Sequence, residues 1–519
     1  MAGPDLRLGV DVGGTHTDAV LLDRAGCIVA KVKTATTVDV TTGIETAIAS
    51  LLVSSGAAPE RITHVMLGTT HATNAVLERR GLERVAVLRI GGPATYAIPP
   101  LFGWPEDLRR AVSAGECIVN GGAEFNGDEL AAFDGDAVRR FVGSLPDDVR
   151  HVAVTSVFAP VLAEHELAAA EIIRALRGDH VHVSLSHEIG SLGLLERENA
   201  TVLNEALVGV AQAVTSAITQ GLASTGLAHA VVYFAQNDGT LMSIADAVRL
   251  PVLTIGSGPA NSIRGAAFLT GVRDAIVVDV GGTSTDVGVL INGFPRESSF
   301  GVSIGGIATN FRMPDLVSIA LGGGTVVREA DGVVILGPDS VGYQLTERAR
   351  IFGGDTWTVS DVAVATGRAH FGSGGVASSE VMLRALAIAD ELVADAVDRV
   401  KLSKGEFPLI AVGGGSVLLS DVIPGISEVL RPNDFDVANA VGAAIGTISG
   451  QVDRIYQTTS RTRDEVLDEA RSEAIAQAVR AGADPHYVEI VELEDIPIAY
   501  MTNPAVRVRA KAAGPLAGL

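Results

Sequence analysis

The sequence predicts an α/β protein built from two related halves, each opened by a glycine-rich turn between two strands. Residues 11–18 read DVGGTHTD and residues 279–286 read DVGGTSTD, so seven of eight positions are identical across a separation of 268 residues. Apolar runs of strand length stand before and after both motifs, and a third such segment follows in each half, at 27–32 and 294–300. Two copies of one strand–turn–strand unit indicate an internal duplication rather than two unrelated hairpins.

The length of 519 residues is typical of about three domains. We predict a first α/β domain at 1–185, a second at 186–455 with an insertion at about 300–375, and a small C-terminal α+β segment at 456–519. A charged helix at 461–471 and one or two strands within 484–508 are expected in the last segment.

Composition excludes several classes of protein. The net charge of −22 repels nucleic acid, so that partner is not expected. Cys27 and Cys117 are the only cysteines, which excludes a disulfide scaffold or a thiolate metal cluster and is typical of a reducing compartment. Neither a leader nor an apolar stretch of membrane-spanning length is evident. The chain is therefore expected to be cytoplasmic, without membrane contact.

The duplicated motif predicts a phosphate-binding turn. Paired glycines allow a tight turn whose amide groups face an anion, and the neighbouring hydroxyls add donors. Asp11 and Asp279 end the first strand of each half, where they could hold hydrated Mg²⁺ against phosphate oxygens, and we assign them metal-binding and catalytic roles. The predicted nucleotide-binding residues of the two turns are Gly13, Gly14, Thr15 and Thr17, and Gly281, Gly282, Thr283 and Ser284.

A third glycine element, Phe407–Ser416, is an apolar strand that runs into three glycines. We predict that Gly413, Gly414, Gly415 and Ser416 contact a nucleotide. The run at 321–325 (LGGGT) has the same appearance, so a glycine triplet by itself carries little specificity.

These elements in this order resemble the superfamily of actin, sugar-kinase and heat-shock-chaperone ATPases. The resemblance implies two duplicated actin-like (ribonuclease H-like) domains flanking a nucleotide cleft. The phosphate 1 and phosphate 2 motifs are then 10–18 and 278–286, and the adenosine loop is 412–416. Connecting helices are expected at 257–269 and 437–449.

Within that superfamily the chain resembles the hydantoinase A / 5-oxoprolinase family. The matching segments are GVDVGGTHTDAVLL at 9–22, GTTHATNAVLERRG at 68–81, HEIGSLGLLERENATVLNEAL at 187–207, SGPANSIRG at 257–265 and VDVGGTSTDV at 278–287. The resemblance implies ATP- and Mg²⁺-dependent opening of a cyclic amide such as a hydantoin, 5-oxoproline or a lactam, and in some branches carboxylation of a ketone. It also implies a hydantoinase B-like or other second subunit, and hence a homo- or hetero-oligomer.

Departures from the family pattern are expected to mark a short branch. His16 stands where the commoner members have Phe, and His71 stands where they have an aliphatic residue. Both histidines lie in motifs expected to line the cleft, where they could bind a metal with Asp11 or transfer protons. The alternative is ordinary hydrogen bonding or packing, and no HxH or HExxH spacing supports a metal site.

Several polar residues allow two interpretations. Thr69, Thr70 and Asn74 precede or begin a helix, and they could bind an anion or the substrate or could simply cap the helix. The residues at 197–199 (REN) open an amphipathic helix predicted at 197–222, and a solvated first turn is the expected environment. The QNDG run at 236–239 is either a substrate loop or a turn.

Three functions remain open from the sequence. The leading hypothesis is a component of an ATP-dependent cyclic amidase that phosphorylates the substrate carbonyl oxygen. The alternatives are a nucleotide-gated regulatory or structural ATPase and a small-molecule kinase.

Overall fold

The structure is a computed structural model. It describes residues 5–13, 16–35, 40–190, 192–298, 301–311, 313–372, 377–401, 403–459, 461–498 and 504–517. The strands in chain order are β1 (Leu6–Val12), β2 (His16–Leu22), β3 (Ile28–Ala35), β4 (Ile62–Thr69), β5 (Val85–Gly92), β6 (Ser113–Asn120), β7 (His151–Ser156), β8 (His182–Leu185), β9 (Val231–Ala235), β10 (Thr240–Ser243), β11 (Ala275–Val280), β12 (Thr285–Ile291), β13 (Phe294–Pro295), β14 (Val302–Ile304), β15 (Ile307–Thr309), β16 (Leu316–Ile319), β17 (Thr325–Ala330), β18 (Val333–Ser340), β19 (Phe407–Val412), β20 (Ile426–Leu430), β21 (Thr447–Gln457), β22 (Glu489–Ile498) and β23 (Ala505–Gly514).

Helices lie against both faces of the sheets. They are α1 (Val40–Ser55), α2 (His71–Glu78), α3 (Glu106–Val112), α4 (Gly135–Ser144), α5 (Glu164–Arg177), α6 (Leu194–Ala206), α7 (Val208–Ser224), α8 (Ile244–Arg249), α9 (Ser257–Thr270), α10 (Leu345–Arg348), α11 (Val359–Ala365), α12 (Glu380–Val400), α13 (Ala438–Ala444) and α14 (Arg463–Arg480). Short 3₁₀ turns lie at Pro59–Arg61, Ser186–Glu188, Pro251–Thr254, Gly342–Gln344, Arg350–Phe352, Ser416–Leu418 and Phe435–Val437.

The largest sheet contains the first copy of the duplicated unit. Its order is β22-β23-β21-β10-β9-β4-β1-β2-β3. Strands β1, β2 and β3 form an antiparallel meander, whereas β4 is parallel to β1 and β9 is parallel to β4. Side chains of β1 and β4 pack with α1 and α7 in one apolar core.

A second sheet repeats this plan. Strands β11 and β12 are antiparallel, and β19 and β20 follow in parallel on the other side of β11. The third strand of this unit is split, because β13 pairs with one end of β12 and β16 pairs with the other. Of the predicted third segment at 294–300, residues 299 and 300 lie outside the described residues, and the described part supplies a two-residue strand, while 316–319 pairs with the other end of β12.

Two helices join the halves. A Cβ atom on Gly265 of α9 would lie 2.0 Å from the Ala438 carbonyl oxygen, and one on Gly442 of α13 would lie 1.8 Å from that of Asn261. The helices therefore cross in backbone contact, which only glycine permits. The predicted helix at 257–269 is confirmed as α9. The helix predicted at 437–449 is too long, since α13 ends at Ala444 and β21 begins at Thr447.

A third sheet, β6-β5-β7-β8, is entirely parallel and was not expected from the sequence. It packs against α4 and α5 in a core of its own. Helix α6 packs against the other face of this sheet, and its apolar residues share a second core with residues of α2.

The sheets cross the domain boundaries expected from the sequence. The largest sheet takes strands from 1–185, 186–455 and 456–519, and β16 of the second sheet lies inside the segment expected to be an insertion. The three-part division stays a prediction. The charged helix is observed as α14, and the two C-terminal strands, β22 and β23, pair with each other and extend the largest sheet through β21.

No one helix of the described ranges has both the length and the apolar character needed to cross a membrane. Helices α6 and α7 meet that criterion only when taken as a pair, bent by 45°.

Candidate functional site

Both copies of the motif form the same β-hairpin. In the first hairpin (residues 11–18) the register pairs Asp11 with Asp18, and in the second hairpin (residues 279–286) it pairs Asp279 with Asp286. Each turn is closed by a glycine amide that donates to the carbonyl three residues on, Gly13 to His16 at 3.0 Å and Gly281 to Ser284 at 2.9 Å. The predicted residues Gly14 and Thr15 lie outside the described residues. The duplication expected from the sequence is thus a structural one.

The carboxyl group of Asp11 is buried, with 5% of the residue exposed. Asn439 Nδ2 of α13 donates to its Oδ2 at 3.4 Å, while Oδ1 has no hydrogen-bond partner within the described ranges. Burial, together with the nearby charges of Asp18 and Asp279, raises the pKa of Asp11 to about 7. A buried carboxylate oxygen among like charges is an environment that a cation would stabilise.

Asp279 has an equivalent position in the second half. Burial raises the pKa of its carboxyl group, while nearby Ser262, Lys33 and Asn439 lower it. Each motif aspartate also packs against a glycine. The glycine beside Asp11 lies within β4, and the glycine beside Asp279 directly follows β19. A Cβ on Gly68 would lie 2.5 Å from Asp11 Oδ1, and one on Gly413 would lie 2.1 Å from Asp279 Oδ1. Glycine at these two positions leaves the space that the carboxylates occupy.

The aspartates of the two hairpins lie close enough to interact through their charges. Asp279 raises the pKa of Asp11, Asp18 and Asp286 through its charge, so carboxylates of both halves share one electrostatic field. The pKa of Asp286 is raised to about 6 by burial, although a hydrogen bond from Ser318 opposes this. The carboxylates of the two hairpins therefore lie close together, and their binding of one nucleotide stays a prediction.

Lys33 is the cation that reaches these carboxylates. Its Nζ lies 2.7 Å from both carboxylate oxygens of Asp18 and donates to the Asp436 carbonyl at 3.0 Å. Its Cε lies 3.8 Å from the position of a Cβ on Gly414. Lys33 therefore spans from the first half to the second. Sequence reasoning missed it, although strand alternation places it opposite Asp18.

The predicted loop at 413–416 lies at the base of the second hairpin. The Gly415 amide donates to the Val280 carbonyl at 2.8 Å, and the Gly413 amide donates to that of Phe435 at 2.9 Å. Gly414 is exposed, whereas Ser416 is buried and its hydroxyl has no partner in the described part of the chain. The structure thus brings this loop to the turn, and its role in nucleotide binding stays a prediction.

The other glycine triplet also belongs to this site. Amides of Gly323 and Gly324 donate to the carbonyls of Gly281 and Gly282 at 3.1 and 2.7 Å, so the 321–325 loop supports the second turn from behind. Thr283 and Ser284 remain exposed at the tip, while Thr17 and Thr285 are buried beside the strands. Sequence reasoning undervalued this run because a glycine triplet has no distinguishing side chain.

The predicted substrate residues lie at the end of β4, beside the first turn. Thr69 is the register partner of Val12, and the Thr70 amide and hydroxyl both approach the Val12 carbonyl at 3.4 Å. Asn74 Nδ2 lies 3.5 Å from Thr70 Oγ1. These three residues are therefore close to the cleft, and their contact with a substrate stays a prediction.

The histidines do not form a metal cluster. Within the described residues, no group of three or more His, Cys, Asp or Glu side chains is arranged to hold a metal ion. Burial lowers the pKa of both His16 and His71, so both imidazoles are neutral near pH 7. His71 Nδ1 lies 2.5 Å from Thr69 Oγ1.

The expectation of a solvated turn at 197–199 is wrong. Arg197 and Glu198 are each 1% exposed, and Asn199 is also buried. Glu198 forms a two-pronged ion pair with buried Arg89, and Arg197 donates to the Ser156 carbonyl at 2.5 Å. The helix predicted at 197–222 is interrupted at Leu207, between α6 and α7. The unexpected parallel sheet, β6-β5-β7-β8, covers a face of α6 that would otherwise contact solvent.

The QNDG run forms a buried turn rather than an open loop. Asp238 binds Lys511 Nζ of β23 at 2.8 Å and accepts from Thr240. Lys511 also binds Glu297 at 2.8 Å. This ion triad connects the C-terminal strands to both halves of the molecule.

Two family models match this chain, one in each part of the sequence. A model of the hydantoinase/oxoprolinase N-terminal region matches residues 7–176, and a hydantoinase/oxoprolinase model matches residues 197–374. Together they cover about two thirds of the chain. The chain belongs to the hydantoinase/oxoprolinase family. The family predicted from the five sequence segments is thereby confirmed.

This hydantoinase/oxoprolinase chain is similar to two named subunits of larger size. It is 27% identical over 478 residues to caprolactamase subunit alpha of Pseudomonas jessenii, covering 86% of this chain and 66% of that protein. It is 27% identical over 395 residues to the acetophenone carboxylase gamma subunit of Aromatoleum aromaticum, covering 69% of this chain and 53% of that protein. The chain therefore spans about half to two thirds of the length of these relatives.

A solved structure confirms the predicted fold of the family member. The crystal structure of the ATP-dependent caprolactamase from Pseudomonas jessenii superimposes with a TM-score of 0.75 at 20% sequence identity, covering 98% of this chain and 87% of that one. At this identity the likeness establishes the α/β architecture and leaves the activity to be argued from the site.

Proposed function

We propose that this protein is the nucleotide-using component of an ATP-dependent cyclic amidase. The observation that carries the proposal is the pair of register-matched hairpins whose buried aspartates interact through their charges. Support also comes from family membership and from the relative named caprolactamase subunit alpha. ATP is the energy source because an unstrained amide is a poor electrophile that phosphorylation of its oxygen activates.

The nucleotide lies between the halves in this proposal. Amides and hydroxyls of the two turns bind the phosphates, and the loop at 413–416 borders the adenosine. Lys33 adds positive charge between Asp18 and Gly414, where a triphosphate would otherwise meet four carboxylates. Phosphoryl transfer depends mainly on such positioning and charge neutralisation.

Mg²⁺ fits the residues present. The Oδ1 atom of Asp11 is buried without a donor in the described part of the chain, and a carboxylate oxygen is the ligand that Mg²⁺ prefers. Asp11 and Asp279 would hold the ion, directly or through water, together with phosphate oxygens. When bound, it would neutralise charge on the transferring phosphoryl group.

The proposed chemistry balances without another reagent. The amide oxygen forms a bond to the γ-phosphorus as the bond to ADP breaks, and the amide nitrogen loses its proton. Water adds to the carbon, and its two protons pass to the nitrogen as the C–N bond breaks to give an amine and an acyl phosphate. A second water hydrolyses the acyl phosphate to a carboxylate and inorganic phosphate. Thr69, Thr70 and Asn74 border the place where the ring would lie in this scheme.

A second subunit completes hydrolysis in this proposal. Relatives of this chain are named as subunits, alpha in caprolactamase and gamma in acetophenone carboxylase, which supports an assembly of several chains. A hydantoinase B-like chain is the proposed partner. The two free cysteines and the use of ATP fit a cytoplasmic enzyme.

The test is ATP cleavage by the purified chain with Mg²⁺ and a panel of five- to seven-membered lactams and hydantoins, with and without a genomically adjacent subunit. Cleavage stimulated by a cyclic amide and abolished by EDTA is expected. Slow cleavage indifferent to every cyclic amide would instead support a nucleotide-gated regulatory ATPase. A stable phosphorylated product in the phosphorus NMR spectrum would support a small-molecule kinase.

A further inference from the structure

Four buried polar atoms beside the motif aspartates have no hydrogen-bond partner within the described ranges. They are Asp11 Oδ1, Asn261 Nδ2, Ser262 Oγ and Asn439 Oδ1. Buried polar groups in folded proteins are almost always paired, either with other protein atoms or with ordered water. A cluster of unpaired atoms at these carboxylates therefore indicates a position for an ordered polar group.

Asn261 and Asn439 lie on the two helices that join the halves, close to the point where these helices cross. A Cβ on Gly442 of α13 would lie 1.8 Å from the carbonyl oxygen of Asn261 on α9. Asn439 is three residues before Gly442 and so lies on the same face of α13. The close crossing therefore brings one asparagine from each helix to the motif carboxylates.

Asn439 contacts one oxygen of Asp11 directly. Its Nδ2 donates to Asp11 Oδ2 at 3.4 Å. The same side chain lowers the pKa of Asp279, so it lies beside the carboxylates of both halves. An amide donor is neutral, so it can hold a carboxylate oxygen in place without cancelling the charge of the group.

The second oxygen of Asp11 lies close to Asn261, which is 1% exposed. Asp11 Oδ1 and Asn261 Nδ2 are 2.5 and 2.7 Å from the point where a Cβ on Gly68 would stand. One atom is an acceptor and the other a donor, yet they form no hydrogen bond with each other or with any described residue. One water molecule accepts from an amide and donates to a carboxylate at the same time, so it would satisfy both atoms.

We propose that Asn261 and Asn439 are positioning residues that fix the orientation of Asp11. Asn439 donates to Oδ2, and Asn261 donates to a water molecule that in turn donates to Oδ1. The inference rests on the proposed function and deepens it by naming residues that act through Asp11 rather than on the nucleotide. Two donors from crossing helices fix the plane of a carboxylate that otherwise rotates about its side-chain bonds, and small displacements of a catalytic group lower rates strongly.

A high-resolution crystal structure of the full chain, grown without nucleotide or divalent cations, tests the water directly. A water molecule within about 3 Å of both Asp11 Oδ1 and Asn261 Nδ2 is expected. Asn261→Leu removes the amide at similar size, so it should lose this water and let the Asp11 carboxylate rotate. No ordered water at that position, or an Asp11 carboxylate unchanged in Asn261→Leu, would overturn the assignment.

Steady-state kinetics of ATP cleavage tests the consequence. Asn261→Leu and Asn439→Leu should each lower kcat about tenfold while KM for ATP changes by less than about twofold, because neither side chain contacts the nucleotide in this assignment. Thr270→Val is the matched control on α9. It also removes a polar group at constant size, and the Thr270 hydroxyl bonds locally, to Ala266 and Val272. It should leave both constants unchanged.

A conservative variant separates hydrogen bonding from packing. Asn261→Ser keeps a hydroxyl donor, so it should lower kcat only about threefold, less than Asn261→Leu does. Asn261→Ala, compared with Asn261→Ser, gives the same contrast if the leucine variant does not fold, which thermal unfolding checks. Equal losses of kcat with and without the hydroxyl would indicate a packing role and overturn the assignment.

The outcomes separate this inference from the proposed function. ATP cleavage by the wild type with unchanged kcat in Asn261→Leu and Asn439→Leu would retain the proposed function and overturn the positioning role. Equal losses in Asn261→Leu and Thr270→Val would reduce the effect to helix packing and overturn it as well. If the wild type cleaves no ATP, the proposed function is rejected, and the positions of the water and of the Asp11 carboxylate in the crystals decide the inference.

Discussion

The two hairpins have nearly the same sequence and the same register, yet different neighbours stabilise them. In the first hairpin, Asp18 is paired with Lys33 of the adjacent strand. In the second, Asp286 accepts a hydrogen bond from Ser318 and has no ion pair in the described ranges. The two glycine loops at 321–325 and 413–416 support the second turn, while β4 lies beside the first.

The difference shows how a duplicated unit becomes asymmetric. The repeated residues determine the local turn and the position of each aspartate, because glycine amides and strand pairing act within the hairpin. The neighbours determine electrostatics, since burial and charge come from elements far away in sequence. Burial raises the pKa of both Asp11 and Asp279, but the side chains that oppose the shift differ, with Asn439 and Lys33 acting on Asp11 and Ser262 acting first on Asp279.

The largest effect is expected from neutralising the motif aspartates. Asp11→Asn and Asp279→Asn keep the shape of the side chain and should each lower kcat for ATP cleavage about 100-fold to 1000-fold, since both lose charge at the proposed metal site. Steady-state kinetics measures this, and circular dichroism checks the fold. Full activity in either variant would remove that aspartate from the site and make the two halves functionally unequal.

A second comparison concerns stability and pH in the absence of nucleotide. The folded-state pKa of Asp11 is raised to about 7, so between pH 4 and 7 the folded state binds more protons than the unfolded state, and the free energy of unfolding falls as pH rises. Above pH 7 this penalty is complete. Asp11→Asn should therefore stabilise the protein at pH 8 by roughly 2–4 kcal/mol and change little at pH 4.

Asp286→Asn is the matched variant for this effect. The pKa of Asp286 is raised to about 6, so ionisation of Asp286 should lower the free energy of unfolding by less than ionisation of Asp11 does. This loss of stability should be complete about one pH unit lower. Urea unfolding from pH 4 to 8 measures both. Parallel curves for wild type and Asp11→Asn across this range would contradict the assigned burial of Asp11.

Substituting the glycines that pack against the two motif aspartates compares the two halves in a second way. Gly68→Ala and Gly413→Ala would each place a Cβ within 2.5 Å of a motif carboxylate oxygen, and Gly413 also has φ of +81°. Each should lower kcat about 10-fold to 100-fold by displacing the carboxylate. Gly271→Ala is the control, because its φ of +71° is similar but no atom lies within 4 Å of the added Cβ. It should cost about 1 kcal/mol of stability and leave activity unchanged.

The smallest effect is expected at Lys33, which distinguishes the first hairpin from the second. Lys33→Met should raise KM for ATP about tenfold, with partial recovery in Lys33→Arg, because the triphosphate loses a nearby positive charge. Lys31→Met is the matched control. Lys31 lies two residues before Lys33 on the same strand and pairs with Asp434 and Asp436. A similar rise in KM for both variants would indicate that these lysines only hold the halves together.

Much of the site could be predicted from the sequence because its elements are local. Paired glycines, a strand on each side and an aspartate before the turn lie within eight residues, so their geometry follows from short-range sterics. The superfamily resemblance added the helices at 257–269 and 437–449, of which the second ends early, at Ala444. The polar burial at 197–199 could not be predicted, because a charged triplet reads as solvated until a second chain segment supplies Arg89 and the Ser156 carbonyl.

By itself, then, the sequence determined the duplication, the two turns, the acidic character of the cleft and the family. Only the tertiary structure decided that burial raises the pKa of Asp11 to about 7, that Lys33 reaches from one half to the other, and that a glycine run without distinguishing side chains supports the second turn. The physical reason is that turns and strands depend on neighbouring residues, whereas burial, charge coupling and cavities depend on which distant segments come to lie together.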